Sequence, residues 1–348
     1  MAGRAASRIV ALATRFAPRR RLLGRVGDHT VAPMTTRPDI APASDAVLAA
    51  FARAVAAACP GLDAAGWQRL SGGRSNRVYR AGHSSGPAIC KVYGPGETPL
   101  FPNRPADETQ TLRHLAGSGL APALLASGRT GGQDWIVYRM AEPAAATPRP
   151  AHVARALGRL HTQPAPAAGS LRRLTLPRAR AEALAALAGV PDPQARAIAA
   201  REPACPALDE GVALLHGDPV PGNIVPGAAS VCFIDWQCPA LGDPLFDIAL
   251  YLSPAMQTVH AGQPLSPADE AAFRDAYPDR PALSRLDAAR PLLTWRMMAY
   301  CAWKIARGDL AYAPGLEAES ALLQQLEQPD RSAACRRAQH EQRDRPAR

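Results

Sequence analysis

The segment "LLHGDPVPGNIV", residues 214–225, constrains this chain more than any other feature. It begins as an apolar run from Val212 to Leu215 that reads as a buried strand. Two prolines and two glycines then stop the strand, because each proline lacks the amide that a ladder needs. The result is a loop held by a rigid element and carrying His216, Asp218 and Asn223, the kind of place where chemistry is commonly found. Further on, "VCFIDWQ" reads as a second apolar strand, Val231 to Ile234, that ends at Asp235. Two strands a hairpin apart thus each deliver an acid to one edge.

Composition narrows the setting. A chain of 348 residues, 47% hydrophobic, can bury a large core and forms one two-lobed unit or two domains. The formal charge of +10 sits at the ends: residues 1–37 hold eight arginines against Asp28, and residues 331–348 hold six against Glu341 and Asp344. The body carries no such excess, which argues against nucleic acid as a partner. Seven scattered cysteines without a C-x-x-C pair fit a reducing compartment and neither a disulfide framework nor a zinc site. No apolar run approaches the roughly 20 residues of a membrane span. A cytoplasmic protein with no membrane partner is expected.

Strand-like runs come first, at Trp67–Leu70, Val78–Ala81, Ala88–Tyr93, Ala123–Ser127 and Ile136–Met140, with a helical pattern at Asp107–Ala116. After the connector "AEPAAATPRP", helices are expected near His152–Thr162, Arg178–Leu187, Pro193–Ala200, Pro267–Tyr277 and Pro291–Arg307, with the strand–loop–strand of 212–234 among them. The organisation read from this is a basic extension over 1–37, a β-rich lobe over 38–141, a mainly helical lobe over 142–330 and a basic tail over 331–348, an α+β plan.

A strand-end aspartate alone often only caps a turn, so the conjunction decides. Asp218, Asn223 five residues on, and Asp235 after the next strand match the spacing H-x-D-x-x-x-x-N … D of kinase catalytic loops. Mg²⁺ prefers oxygen ligands, which Asn223 and Asp235 can supply, while Asp218 stays free to orient an attacking hydroxyl. "HGDPVPGN" followed by "IDWQCPALGDPLFDIA" resembles the aminoglycoside phosphotransferase / choline kinase family, over about residues 60–325. The resemblance implies a protein-kinase-like two-lobed fold, ATP and Mg²⁺ as cofactors, and phosphorylation of a small-molecule alcohol. It makes Asp218 the catalytic base and Asn223 and Asp235 the metal ligands. It also has Asp247 brace the catalytic loop from below, although an N-cap is the simpler account of an aspartate opening an apolar helix.

In the N-lobe, "LSGGRSNRVYRA" offers Gly72, Gly73, Ser75 and Asn76 as candidate phosphate-facing residues, since paired glycines let backbone amides approach an anion. A plain glycine-turned hairpin would look the same. Lys91 lies in the apolar run "AICKVY", where a lysine needs a partner, and Glu108 shares a helix face with Leu112 and Leu115. In kinase-like folds these two residues read as the ion pair that holds the ATP phosphates; a structural salt bridge is the alternative. Backbone groups near Tyr138 to Met140 are expected at the adenine edge.

For the acceptor, "TWRMMAYCAWKIARGDLAYA" resembles the C-terminal region of choline kinases, and Trp295, Tyr300 and Trp303 are the candidates to enclose a cationic head group. Core packing is the competing reading. Gln237 stands where choline kinases usually carry a glutamate. A choline-, ethanolamine- or thiamine-like acceptor is favoured, with an aminoglycoside or sugar O-phosphotransferase, or a nucleotide-binding pseudokinase, as alternatives.

Overall fold

The structure, a computed structural model, describes residues 45–70, 76–94, 98–142, 149–166, 171–227 and 230–328. The basic extension and the basic tail lie outside these residues, as do Gly72, Gly73 and Ser75. The chain divides into two compact units, one reaching to Gly94 and including Leu125–Met140, the other made of Pro95–Leu124 and everything from Ala141. The stretch 95–124 falls inside the range 38–141 read as the N-lobe but groups by contact with the second unit.

The first unit holds helix α1 (Asp45–Ala58) and a sheet of β1 (Gln68–Leu70), β2 (Asn76–Ala81), β3 (Ala88–Tyr93), β4 (Leu124–Thr130) and β5 (Gln133–Arg139), in the order β1-β2-β3-β5-β4. β3 lies between β2 and β5, antiparallel to both, and is buried at every position. It therefore reads as an unbroken apolar run and not as an alternation. Val55 of α1 and Cys59 just past its end pack with Tyr79, Cys90, Val92, Trp135 and Val137 to form its core. β4 and β5 are longer than the runs that announced them, because Gly131 and Gly132 join them with φ of 56° and 79°. Two consecutive left-handed residues make the tight hairpin turn whose twist matches its strands.

The second unit is mainly helical: α2 (Pro105–His114), α3 (Pro150–His161), α4 (Leu176–Ala188), α5 (Pro193–Ala200), α6 (Leu245–Leu252), α7 (Pro254–Ala261), α8 (Pro267–Ala276), α9 (Arg280–Ile305) and α10 (Ala313–Glu327). Its short strands β6 (Arg172–Leu174), β7 (Ala213–Leu215) and β10 (Ala240–Gly242) form a sheet ordered β6-β10-β7, while β8 (Ile224–Pro226) and β9 (Val231–Phe233) pair as a hairpin. Many of the 35 prolines punctuate helix starts. Thr175, Asp192, Ser253, Ser266 and Asp279 each cap a helix whose first turn contains a proline, accepting a backbone amide with the side chain. Both devices suit positions where the first amides have no helical acceptor. α9 departs from expectation. The sequence suggests a start at Pro291, but the helix starts at Arg280 after the Asp279 cap and runs through the proline. It packs against α4, α6 and α10, and this burial outweighs the loss of one helical hydrogen bond.

Candidate active site

β7 is fully buried and delivers the loop that follows it. Gly217 turns the chain with φ 82°, and a Cβ there would stand 2.1 Å from the carbonyl oxygen of Cys238. Only glycine fits. Asp218 comes next, half-buried, and its carbonyl accepts from the Val220 amide at 2.9 Å. A 3₁₀ turn over Pro221–Asn223 then leads into β8. The β8–β9 hairpin pairs Ile224 with Phe233, and beyond that pair the Ile234 amide donates to the Asn223 carbonyl at 2.9 Å. Asn223 and Asp235 thus leave the same open end of the hairpin. Asp235 has φ 64°, and among the described residues no other non-glycine residue has positive φ. Aspartate tolerates this conformation better than most residues, so the carboxylate is turned out of the strand at the point where the ladder stops.

Asn223 donates from Nδ2 to the Asp218 carbonyl at 2.9 Å and to Asp218 Oδ2 at 3.1 Å. The amide nitrogen must face Asp218, since its oxygen would repel the carboxylate. Oδ1 is therefore the atom that Asn223 can present to a cation. His216, fully buried, accepts from the Asp218 amide at Nδ1 (3.2 Å) and donates from Nε2 to the Ile234 carbonyl (3.1 Å). Its ring meets Trp236 edge-on at 4.3 Å. It anchors the loop to the strand that ends at Asp235.

Two further aspartates hold this arrangement from within the unit. Asp247 is the third residue of α6 and does not cap its own helix. It accepts the amides of His216 at 2.8 Å and Gly217 at 2.9 Å. Asp243 accepts from the Leu245 amide at 3.0 Å, from the Gly211 amide at 2.6 Å and from Arg285 Nε at 2.6 Å. Burial raises the Cys238 thiol well above its ordinary range, and Asp218 adds to the effect. Beside the loop, Cys238 is a packing residue. Gly217 goes unmarked in the sequence, although a glycine between a histidine and an aspartate at a strand end signals a forced backbone.

The remaining candidates are distributed over the two units. In the first, Lys91 is 2% exposed, faces Val78 and Ile136 across the sheet, and has Nζ 5.1 Å from the centre of the Tyr93 ring. Asn76 Oδ1 accepts from the Gly94 amide at 3.1 Å, tying the start of β2 to the end of β3. Tyr138 is buried in β5, and the Met140 amide, placed at the adenine edge by the sequence, is engaged by the Pro87 carbonyl at 2.9 Å. In the second unit, Glu108 is 1% exposed and shares its helix face with Leu112 and Leu115, as their spacing requires.

The three aromatic candidates do not form one enclosure. Trp295 is fully buried and donates from Nε1 to the Ile198 carbonyl at 2.7 Å, which makes it a core residue and corrects its reading as an acceptor contact. Tyr300 and Trp303 stack at 6.1 Å, and Tyr300 meets Phe101 and Tyr312 edge-on. The chain's own cations lie over these rings: Arg307 over Trp303 at 4.0 Å, Lys304 over Tyr312 at 5.0 Å and Arg296 over Phe101 at 5.5 Å. Burial lowers Arg296 to about 10, against the pull of Glu182.

The sequence model described as Phosphotransferase enzyme family matches residues 66–292. No curated protein matches the chain. Among solved structures, a choline/ethanolamine kinase family protein from Mesorhizobium loti is 21% identical, with 82% of this chain and 97% of that one covered, at a TM-score of 0.57. The choline kinase LicA from Streptococcus pneumoniae is 15% identical, covering 80% and 100%, also at 0.57. A thermostable mutant of an aminoglycoside phosphotransferase, solved with AMP-PNP and hygromycin B, is 15% identical, covering 79% and 98%, at 0.56. At these identities the likeness establishes a shared kinase-like fold.

Proposed function

The chain belongs to the phosphotransferase enzyme family, and from that premise we propose that it transfers the γ-phosphoryl group of ATP to a hydroxyl group of a small molecule. The observation that carries the reading is the bond from Asn223 to Asp218, with Asp235 at the same hairpin end. Asp218 is the group that orients the acceptor hydroxyl and takes its proton at Oδ1 or Oδ2. Asn223 holds that carboxylate in place, so the proton acceptor is positioned before substrate arrives. Lys91, a buried cation on the central strand, is the phosphate-binding candidate of the first unit. The AMP-PNP complex of the aminoglycoside phosphotransferase supports ATP as donor.

The donor set fits Mg²⁺. Asn223 Oδ1 and the Asp235 carboxylate are hard oxygen ligands, and a cation that keeps several waters needs only one or two protein groups beside the phosphates. When bound, Mg²⁺ would neutralise charge on the phosphate oxygens.

For the acceptor, the guanidinium of Arg307 covers the Trp303 ring that a quaternary ammonium would need. A choline-like head group would have to displace it. This favours an uncharged hydroxyl compound, such as a sugar, over the amino alcohol that the sequence suggests. ATP consumption with a panel of choline, ethanolamine, thiamine, simple sugars and aminoglycosides tests both levels. Turnover on any of them supports phosphotransfer. Nucleotide binding without turnover on all of them would favour a pseudokinase, and preference for choline would reverse the acceptor assignment.

A further inference from the structure

We propose that Arg296, backed by Arg172, binds an acid group of the acceptor, so that the compound phosphorylated is a hydroxy acid such as a sugar acid. This rests on the phosphotransferase reading and carries its acceptor a step further: Arg307 over Trp303 speaks only against a positive head group, and Arg296 replaces the neutral compound with a negative one. Arg296 lies on α9 one turn before Tyr300, and its side chain is 7% exposed. A guanidinium carries five N–H donors. Here Nε is buried without a partner, and Nη2 stands 3.7 Å from Glu182 Oε2, beyond hydrogen-bond length.

Glu182 does not make up the shortfall. Its Oε1 already accepts from Arg172 Nη1 and from Arg178 Nε, each at 3.0 Å. A small shift could close the gap between Oε2 and Arg296, but it would leave the charge as it is: Arg172 and Arg296 are two buried cations to one carboxylate. Arg172 Nη2 donates to the Leu100 carbonyl at 3.1 Å, and its Nε is likewise buried without a partner. Buried cations need a counterion and satisfied N–H groups. The strain shows in Arg296, which burial lowers to about 10, with Arg172 adding to the effect against the pull of Glu182.

The place of this pair suits an acceptor. The Arg296 guanidinium lies 5.5 Å from the centre of the Phe101 ring, whose edge contact with Tyr300 spans 4.8 Å. Cys238, whose carbonyl oxygen stands against Gly217, lies within electrostatic range of Asp218 and of both arginines. The unpaired donors are therefore neighbours of the catalytic loop. An excess of one positive charge calls for a single negative one. A carboxylate supplies it and matches the planar guanidinium fork, whereas a phosphate dianion would turn the excess into a deficit. The hydroxyl of such an acid takes the γ-phosphoryl group, ADP leaves, and the hydroxyl proton goes to Asp218.

Gluconate with glucose, and glycerate with glycerol, are pairs that differ chiefly in an acid group. In calorimetric titration of the full chain without nucleotide, at least one of the two acids should bind about tenfold or more tightly than its neutral partner. Arg296→Met keeps apolar bulk and removes the charge, so it should abolish that difference. In ATP consumption the wild type should prefer the acid over its neutral partner in kcat/KM, and Arg296→Met should cut the preference about tenfold, through KM. Binding of neither acid, or binding that Arg296→Met leaves unchanged, would overturn the proposal. So would an acid that binds through Arg296 and is not consumed while a neutral acceptor is, since the anion would then be a separate ligand. If nothing in the panel is consumed and acid binding still depends on Arg296, the phosphotransferase reading fails and the anion site stands. If Arg296→Met does not fold, Arg296→Lys decides: it keeps the charge and loses the fork, so the acid should bind about threefold more weakly, and wild-type affinity would overturn the proposal.

Discussion

Asn223 gives its side-chain amide to two oxygens of Asp218, the carbonyl at 2.9 Å and the carboxylate at 3.1 Å. One residue thus fixes the candidate base and, by the same bond, directs its own carbonyl oxygen elsewhere. The division of labour expected of the pair follows from the two ends of one amide group.

Asp235 should be separable from fold stability. Asp235→Asn retains a side chain that tolerates φ 64°, so its melting temperature should stay near that of the wild type. Asp235→Ala adds strain of about 1–2 kcal/mol, or a few degrees in Tm for a chain of this size. Both variants lose a charged metal ligand, so both should lose most of the Mg²⁺-dependent part of ATP affinity in a titration with and without the metal. Full Mg²⁺ dependence in either would remove Asp235 from the metal site.

Much of this arrangement is legible in the sequence, and the limits have physical causes. β3 is read with its observed ends because both of its faces are buried, so its apolar run is continuous. α9 is misread at its start because a proline normally marks a first turn, and local sequence does not show that packing will carry a helix through Pro291. Asp218, Asn223 and Asp235 can be grouped from the sequence because they lie close in the chain. Asp247 is tied to the loop by the family resemblance alone: nothing in its local sequence points to its amide partners at His216 and Gly217, which folding brings to it. For Trp295, helical spacing does not distinguish an aromatic that faces a ligand from one that donates to Ile198 in the core.

Stability should depend on Glu319. Burial raises its carboxyl to about 7, while bonds from the Ser253 hydroxyl and the Ala255 amide pull the other way. Because the folded value lies above the ordinary 4.5, the folded state binds the proton more tightly. Its contribution is fully present below about pH 4.5, falls as pH rises toward 7, and is lost above that, a difference on the order of 3 kcal/mol. Glu319→Gln should flatten this dependence, narrowing the gap between Tm at pH 5.5 and pH 8. An equal gap in both proteins would place the titration elsewhere.

Trp303→Leu should not discriminate between acceptors. The Arg307 guanidinium already lies over the ring at 4.0 Å, so removing the ring takes away a packing surface and no open cation site. KM for a quaternary amine and for a neutral alcohol should change by the same factor. A selective rise of about tenfold for the amine, the size expected from about 1–2 kcal/mol of lost cation–π energy, would restore the cationic acceptor.

The most direct measurement is the behaviour of Asp218→Asn, taken as kcat for phosphoryl transfer to the best acceptor of the panel together with Kd for MgATP. The substituted side chain keeps an oxygen for Asn223 to bond, so the loop geometry should survive while the proton acceptor is lost. The prediction is a fall in kcat of about 10²–10⁴-fold with Kd for MgATP within about twofold of the wild type. A kcat within tenfold of the wild type, or a loss of nucleotide affinity as large as the loss of turnover, would contradict the role of Asp218 and with it the proposed reaction.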